Sequence, residues 1–185
     1  MKIAFVAIAA VLVASPAFTE ENGWTTTNGV ATPVQRPPRE LDQLKYWVGK
    51  WKCAGRVFAS PFGPAFRAIN IHSFESVLDG FWYLRREEDA KTAENPTPNK
   101  DFEFEGYNPA TKKFVAVGYD NGGGSWRDTS DNAWGPFLGT YALNARQFRI
   151  RYTPTRVNAT EWSAVGETQF DGKWKKTEAF TCRRQ

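Results

Sequence analysis

"YWVGKWKCAG", residues 46–55, decides the fold of this chain. Two tryptophans bracket Gly49, and Cys53 follows two residues after Trp51. The chain holds only 2 cysteines, and the other, Cys182, lies almost at the opposite end. Between them the sequence is strand and turn. Phe148, Ile150 and Tyr152 alternate with Arg149, Arg151 and Thr153, and Trp162, Ala164 and Gly166 stand against Glu161, Ser163 and Glu167. Phe102, Phe104 and Gly106 alternate with Asp101, Glu103 and Glu105, which reads as an apolar inner face and an acidic wet one. One buried and one solvated face per strand implies an antiparallel sheet.

Turn signals separate these runs. Asp79-Gly80 and Asp171-Gly172 are two-residue hairpin turns, "YNPATKK" is an Asn-Pro turn, and "NGGG" (121–124) and "NA" (144–145) are further breaks. Short turns between about ten consecutive strands favour an all-β, antiparallel up-and-down barrel over a sandwich. Ahead of them, "RELDQLKYWVG" sets Leu41, Leu44 and Val48 at helical spacing, with Gly49 as the stop. The expectation is a short N-terminal helix leading into the first strand and capping one end of the barrel.

Closing such a barrel pairs the first strand with the last. An exported chain with two cysteines can join them in one disulfide, and a Cys53–Cys182 bridge sets the register of that seam. The antiparallel register that places 53 opposite 182 places Trp51 opposite Arg184, a guanidinium over an indole. A helix or turn, then Gly-x-Trp opening strand one, then a basic residue covering that Trp from the last strand, resembles the calycin pattern shared by lipocalins and fatty-acid-binding proteins. Gly49, Trp51 and Arg184 are the matching residues. Over Leu41 to Arg184, with "VGKW" and "LDG", the order looks most like an exported bacterial family of calycin-like barrels without assigned function. The other lipocalin signature blocks are not legible. The resemblance implies an internal cavity for a small, largely apolar molecule.

"MKIAFVAIAAVLVASPA" reads as a signal peptide over residues 1–17: a basic Lys2, an apolar run from Ile3 to Ala14, and small residues before the cut. That run is too short to span a bilayer, and nothing else is long and apolar enough. The expected location is secreted or periplasmic. Residues 18–40, rich in Thr, Asn and Pro, read as a flexible leader, leaving 41–185 as the barrel domain. The net charge of +4 is mild, and the basic residues of "ARQFRIRYTPTR" alternate with apolar ones, so nucleic acid is not expected.

Chemistry is sparse. His72 is the single histidine, and with the cysteines bridged no metal cluster is expected. Ser73 would point to the opposite strand face from His72, against a catalytic triad. Haem-binding barrels of a related family use a histidine near the C-terminus, which this chain lacks, so haem could be ligated only through His72 or a tyrosine. "REED", 86–89, reads as a solvated strand end. Ala116, Gly118, Ala164 and Gly166 facing inward would open a cavity of a few hundred cubic ångströms. The expected binding face draws on Trp82, Phe104, Tyr119, Tyr141, Tyr152 and Trp162. Period two from Cys182 adds Glu178 and Lys176 as a polar anchor, unless a β-bulge flips "KWKKTE" to solvent. Expected function is non-catalytic binding of a small apolar or amphipathic ligand. The alternatives are a cavity enzyme of isomerase, cyclase or decarboxylase type using Glu178 and Lys176, and an envelope scaffold that binds a partner.

Overall fold

The computed structural model describes residues 24–27, 30–33 and 36–185. The expected signal peptide, 1–17, lies outside the described residues. Within the expected leader, β1 (Trp24–Thr27) and β2 (Val30–Pro33) pair antiparallel as a two-stranded unit of their own.

The remaining chain from Pro37 forms a closed antiparallel barrel of ten strands. They are β3 (Gly49–Val57), β4 (Phe66–Val77), β5 (Trp82–Asp89), β6 (Lys100–Asn108), β7 (Lys113–Asp120), β8 (Ser125–Ser130), β9 (Phe137–Leu143), β10 (Arg146–Arg156), β11 (Glu161–Phe170) and β12 (Lys173–Arg184). Each strand pairs with its sequence neighbours, and β12 closes on β3. This is the meander expected from the turn chemistry. Asp171 and Gly172 both take positive φ (50° and 75°), as do Asn144 and Ala145, which gives tight two-residue turns suited to strand twist. In the Asn-Pro turn, Asn108 Oδ1 accepts from the amides of Ala110 and Thr111.

The seam has the expected register. Cys53 pairs with Cys182, to which it is disulfide-bonded, and Trp51 pairs with Arg184. The Arg184 guanidinium lies 4.2 Å from the centre of the fully buried Trp51 ring. It also donates to the carbonyls of Val48 (2.6 Å) and Tyr46 (2.5 Å), and Trp51 Nε1 donates to Trp47 O at 2.7 Å. Gly49 is required twice over. Its φ is +119°, and a Cβ there would sit 2.9 Å from Arg184 Nη1. Gly-x-Trp is therefore the place where the chain turns from helix to strand directly beneath the arginine.

The N-terminal helix is a 3-10 helix over Arg39–Tyr46, not an α-helix. Leu41 and Leu44 are buried on one face, and a three-residue spacing is the period of a 3-10 turn. Val48, expected on that face, is exposed, because the helix has already ended. The helix brings Tyr46 and Trp47 against Trp134 and Trp162, and these rings floor the barrel.

Candidate functional site

The barrel encloses a cavity of about 1170 Å³. Its deep end is aromatic, with Trp47, Phe74, Phe137 and Trp162 in its wall. Its mouth lies among the loops that follow β3, β5, β7 and β9, where Phe62 packs edge-on against Tyr141, Phe148 and Phe170. Between mouth and floor the wall is acidic, which the sequence reading did not anticipate.

The reversal is clearest on β6. Asp101, Glu103 and Glu105 line the cavity, while Phe102 and Phe104 pack on the outside, Phe102 against Tyr119 at 5.5 Å between ring centres. Two interior partners, Arg85 and Trp126, favour this choice of face. Arg85 Nη1 is 2.7 Å from Glu87 Oε2, its Nη2 is 3.2 Å from Asp101 Oδ1, and its Nε is 3.2 Å from Glu103 Oε1 without forming a hydrogen bond. Trp126 Nε1 donates to Glu103 as well. "REED" follows the same rule. Glu87 and Asp89 point into the cavity, and only Arg86 and Glu88 are solvated. Asp89 accepts from the side chain of Asn95 and the backbone of Asn99, so the loop after β5 is tied to the wall. Asp120 accepts from Tyr141 Oη and from the amides of Gly122 and Gly124. Asp128 and Glu178 complete the belt.

Burial dominates the protonation of these groups, because an apolar wall disfavours the charged form. It pushes Glu87, Glu105 and Asp128 well above the usual carboxylate range, raises Asp89, and brings Asp101 to about 6 and Glu178 to about 7. Negative neighbours add to the effect, and Arg85 opposes it at all of these but Asp89. Burial first, and then Arg85, holds His72 well below its ordinary value, so it is neutral. Its Nε2 is 3.2 Å from Glu87 Oε2, and neither ring nitrogen has a hydrogen-bond partner. The sulfur atoms nearest His72 are those of the Cys53–Cys182 bridge, so that cluster offers a metal one imidazole and no thiolate.

The residues expected to bind divide sharply. Tyr141, Tyr152, Trp162 and Glu178 line the cavity. Trp82, Phe104 and Tyr119 do not: strand alternation sets them on the outer face, where Trp82 covers Gly106 and Tyr119 is 48% exposed. Lys176 is also outside. The register of β11 with β12 shifts between Gly166 and Glu167, so Glu178 pairs with Gly166 while Lys176 pairs with Glu167 and turns to solvent. The bulge, not period two, sets the face of "KWKKTE". The small residues carry a further correction. A Cβ on Gly166 would lie 2.5 Å from Glu178 Cγ, and one on Gly118 would lie 2.1 Å from the Trp126 ring. These glycines seat neighbouring side chains and do not open empty space. Arg85, Glu87, Asp101, Glu103 and Asp128 were missed. The available signal was one arginine and alternating acids on two successive strands joined as a hairpin.

No helix among the described residues is long and apolar enough to cross a membrane. No protein-family model matches the chain, and no curated protein aligns with it significantly.

Proposed function

We propose that this barrel binds a small amphipathic molecule, with the apolar part on the aromatic floor and the polar part in the carboxyl belt. One observation carries the reading: a cavity of about 1170 Å³, at the upper end of the roughly 300–1,000 Å³ of ligand pockets, whose wall changes from rings to carboxyls along its depth. A barrel serving only as a scaffold has no need of such a void, and close packing would stabilise it further. The shift from the sequence-based expectation is in the ligand's polarity. A purely apolar molecule would leave Asp128 Oδ1 without a partner and gain nothing from the belt.

Catalysis by a Glu178–Lys176 pair is disfavoured, since Lys176 faces solvent. The resemblance to an exported calycin-like family and the disulfide both support a secreted or periplasmic location. Haem ligation through His72 has little support, since its ring lies against Phe74 and Trp162, with centres 6.2 and 5.6 Å away.

The experiment is native mass spectrometry of protein purified from its own host, followed by Trp fluorescence titration with fatty acids, retinoids and haem. A mass excess that disappears on denaturation, and quenching or a spectral shift on titration, are expected. A clean apo mass with no response to any compound defeats the binding reading and leaves the scaffold.

A further inference from the structure

Not every acid in the belt has a partner. The Arg85 guanidinium already serves Glu87, Asp101 and Glu103, while Asp89 and Asp120 are held by asparagines, backbone amides and Tyr141. Glu105 and Asp128 are different. Among the described residues no cation lies within ion-pair distance of either: Glu105 shares a side-chain hydrogen bond only with the neighbouring acid Glu103, and Asp128, only 4% exposed, has its Oδ1 buried without any hydrogen-bond partner.

Their placement is specific. Glu105 on β6 pairs with Ala116 on β7, and Ala116 pairs with Asp128 on β8, so the two carboxyls flank one methyl group across three strands. All three residues line the cavity. Asp128 next pairs with Gly139 on β9, whose missing Cβ seats Asp128, with its Cβ 2.4 Å from where that atom would lie. Ala116 alone thus makes the small floor of a notch with an acid on each side. We infer that Glu105 and Asp128 form the seat for the ammonium group of an arylalkyl primary amine, whose ring lies toward the aromatic floor.

This rests on the reading that the cavity binds an amphipathic molecule, and it names the polar group. Two features favour an organic ammonium over a bare metal ion. The cavity is far larger than an ion needs, and its floor is lined by the rings of Trp47, Phe74, Phe137 and Trp162. Anions are disfavoured by the acid count itself.

The charged groups facing the pair are few. Glu103 and Arg85 are the nearest, and the Arg85 guanidinium is already shared among Glu87, Asp101 and Glu103. Neither Ala116 on β7 nor Gly139 on β9 can titrate. Burial, with Glu103 beside them, raises the carboxyls of Glu105 and Asp128 well above the usual carboxylate range. An ammonium entering the notch stabilises one carboxylate, and the proton that carboxyl held leaves to solvent. Binding is therefore coupled to proton release, and it tightens as pH rises toward the amine's own pKa of about 10.

The test is isothermal titration calorimetry of the purified, oxidised protein with phenethylamine, phenethyl alcohol and phenylacetate, in buffers of different ionisation enthalpy at pH 6, 7 and 8. Phenethylamine should bind at least about tenfold more tightly than the alcohol at pH 8, since charge-assisted hydrogen bonds replace neutral ones. Wild type should release protons on binding the amine and none on binding the alcohol, a readout that needs no variant. Glu105→Gln and Asp128→Asn should each abolish most of the preference for the amine over the alcohol. Equal or weaker binding of the amine, or a preference that survives both substitutions, overturns the assignment while alcohol binding preserves the broader reading. Calcium that displaces the amine and is itself lost in both variants reassigns the notch to a metal ion. Failure of all three compounds, with no retained molecule in native mass spectra, overturns both.

Discussion

Replacing Glu178 by glutamine isolates one titrating group of the belt while keeping the shape that rests on Gly166. In the fold the Glu178 carboxyl titrates at about 7, against an ordinary 4.5, because burial penalises its charge more than Arg85 relieves it. A raised folded pKa means that the native state holds a proton the unfolded chain has lost. The associated stability is fully present below pH 4.5 and is lost as pH rises through 7. Between pH 5 and pH 8 that loss is about 2.5 kcal/mol for a single group at these two pKa values. Glutamine does not titrate. The unfolding free energy of Glu178→Gln minus that of wild type should therefore increase by about 2.5 kcal/mol from pH 5 to pH 8. Glu87, Glu105, Asp128 and Asp101 shift in the same direction as Glu178, and His72 in the opposite one. His72's contribution is present above its ordinary 6.5 and is lost as pH falls. These contributions enter both proteins and largely cancel in the difference. The assay is urea unfolding followed by Trp fluorescence at each pH, taking midpoints at a common slope. Urea avoids the ionic screening that guanidinium would impose. A difference that changes by less than about 0.5 kcal/mol over this range would refute the placement of Glu178 as a buried, proton-holding group.

Other outcomes follow from the same structure. Trp51→Ala should cost about 3–5 kcal/mol, because a fully buried ring is removed. Arg184→Ala should cost about 1 kcal/mol or more, and the double mutant less than the sum, since the groups touch; strictly additive urea midpoints would deny the contact. Reducing Cys53–Cys182, which spans 129 residues, should lower stability by about 4–5 kcal/mol on the chain-entropy model, read from urea midpoints with and without dithiothreitol. Gly166→Leu should drive Glu178 off its seat, lowering both stability and ligand affinity; a variant that binds and unfolds like wild type would show that the seat is dispensable.

The barrel could be read from the sequence because its determinants are local. Asp171-Gly172 and Asn144-Ala145 impose turn geometry wherever they occur, and Trp162, Ala164 and Gly166 alternate with polar residues irrespective of distant strands. The seam was legible too, since one pairing of cysteines fixes every other partner between β3 and β12, Trp51 and Arg184 among them. The face of a strand that alternates rings with acids is not a local property. Phe102 and Glu103 each have a reason to be buried, and the choice turns on Arg85 and Trp126, which the pairing of β5 and β8 on either side of β6 and β7 brings to Glu103. Lys176 illustrates the same limit at one residue: alternation aims it inward, and a bulge opposite Gly166 turns it out. The sequence by itself determined the container, its closure and its bridge, because turn preferences and period two act over a few residues. The tertiary structure alone decided that the interior is acidic, because charges enter a low-dielectric wall only where partners from other strands meet them.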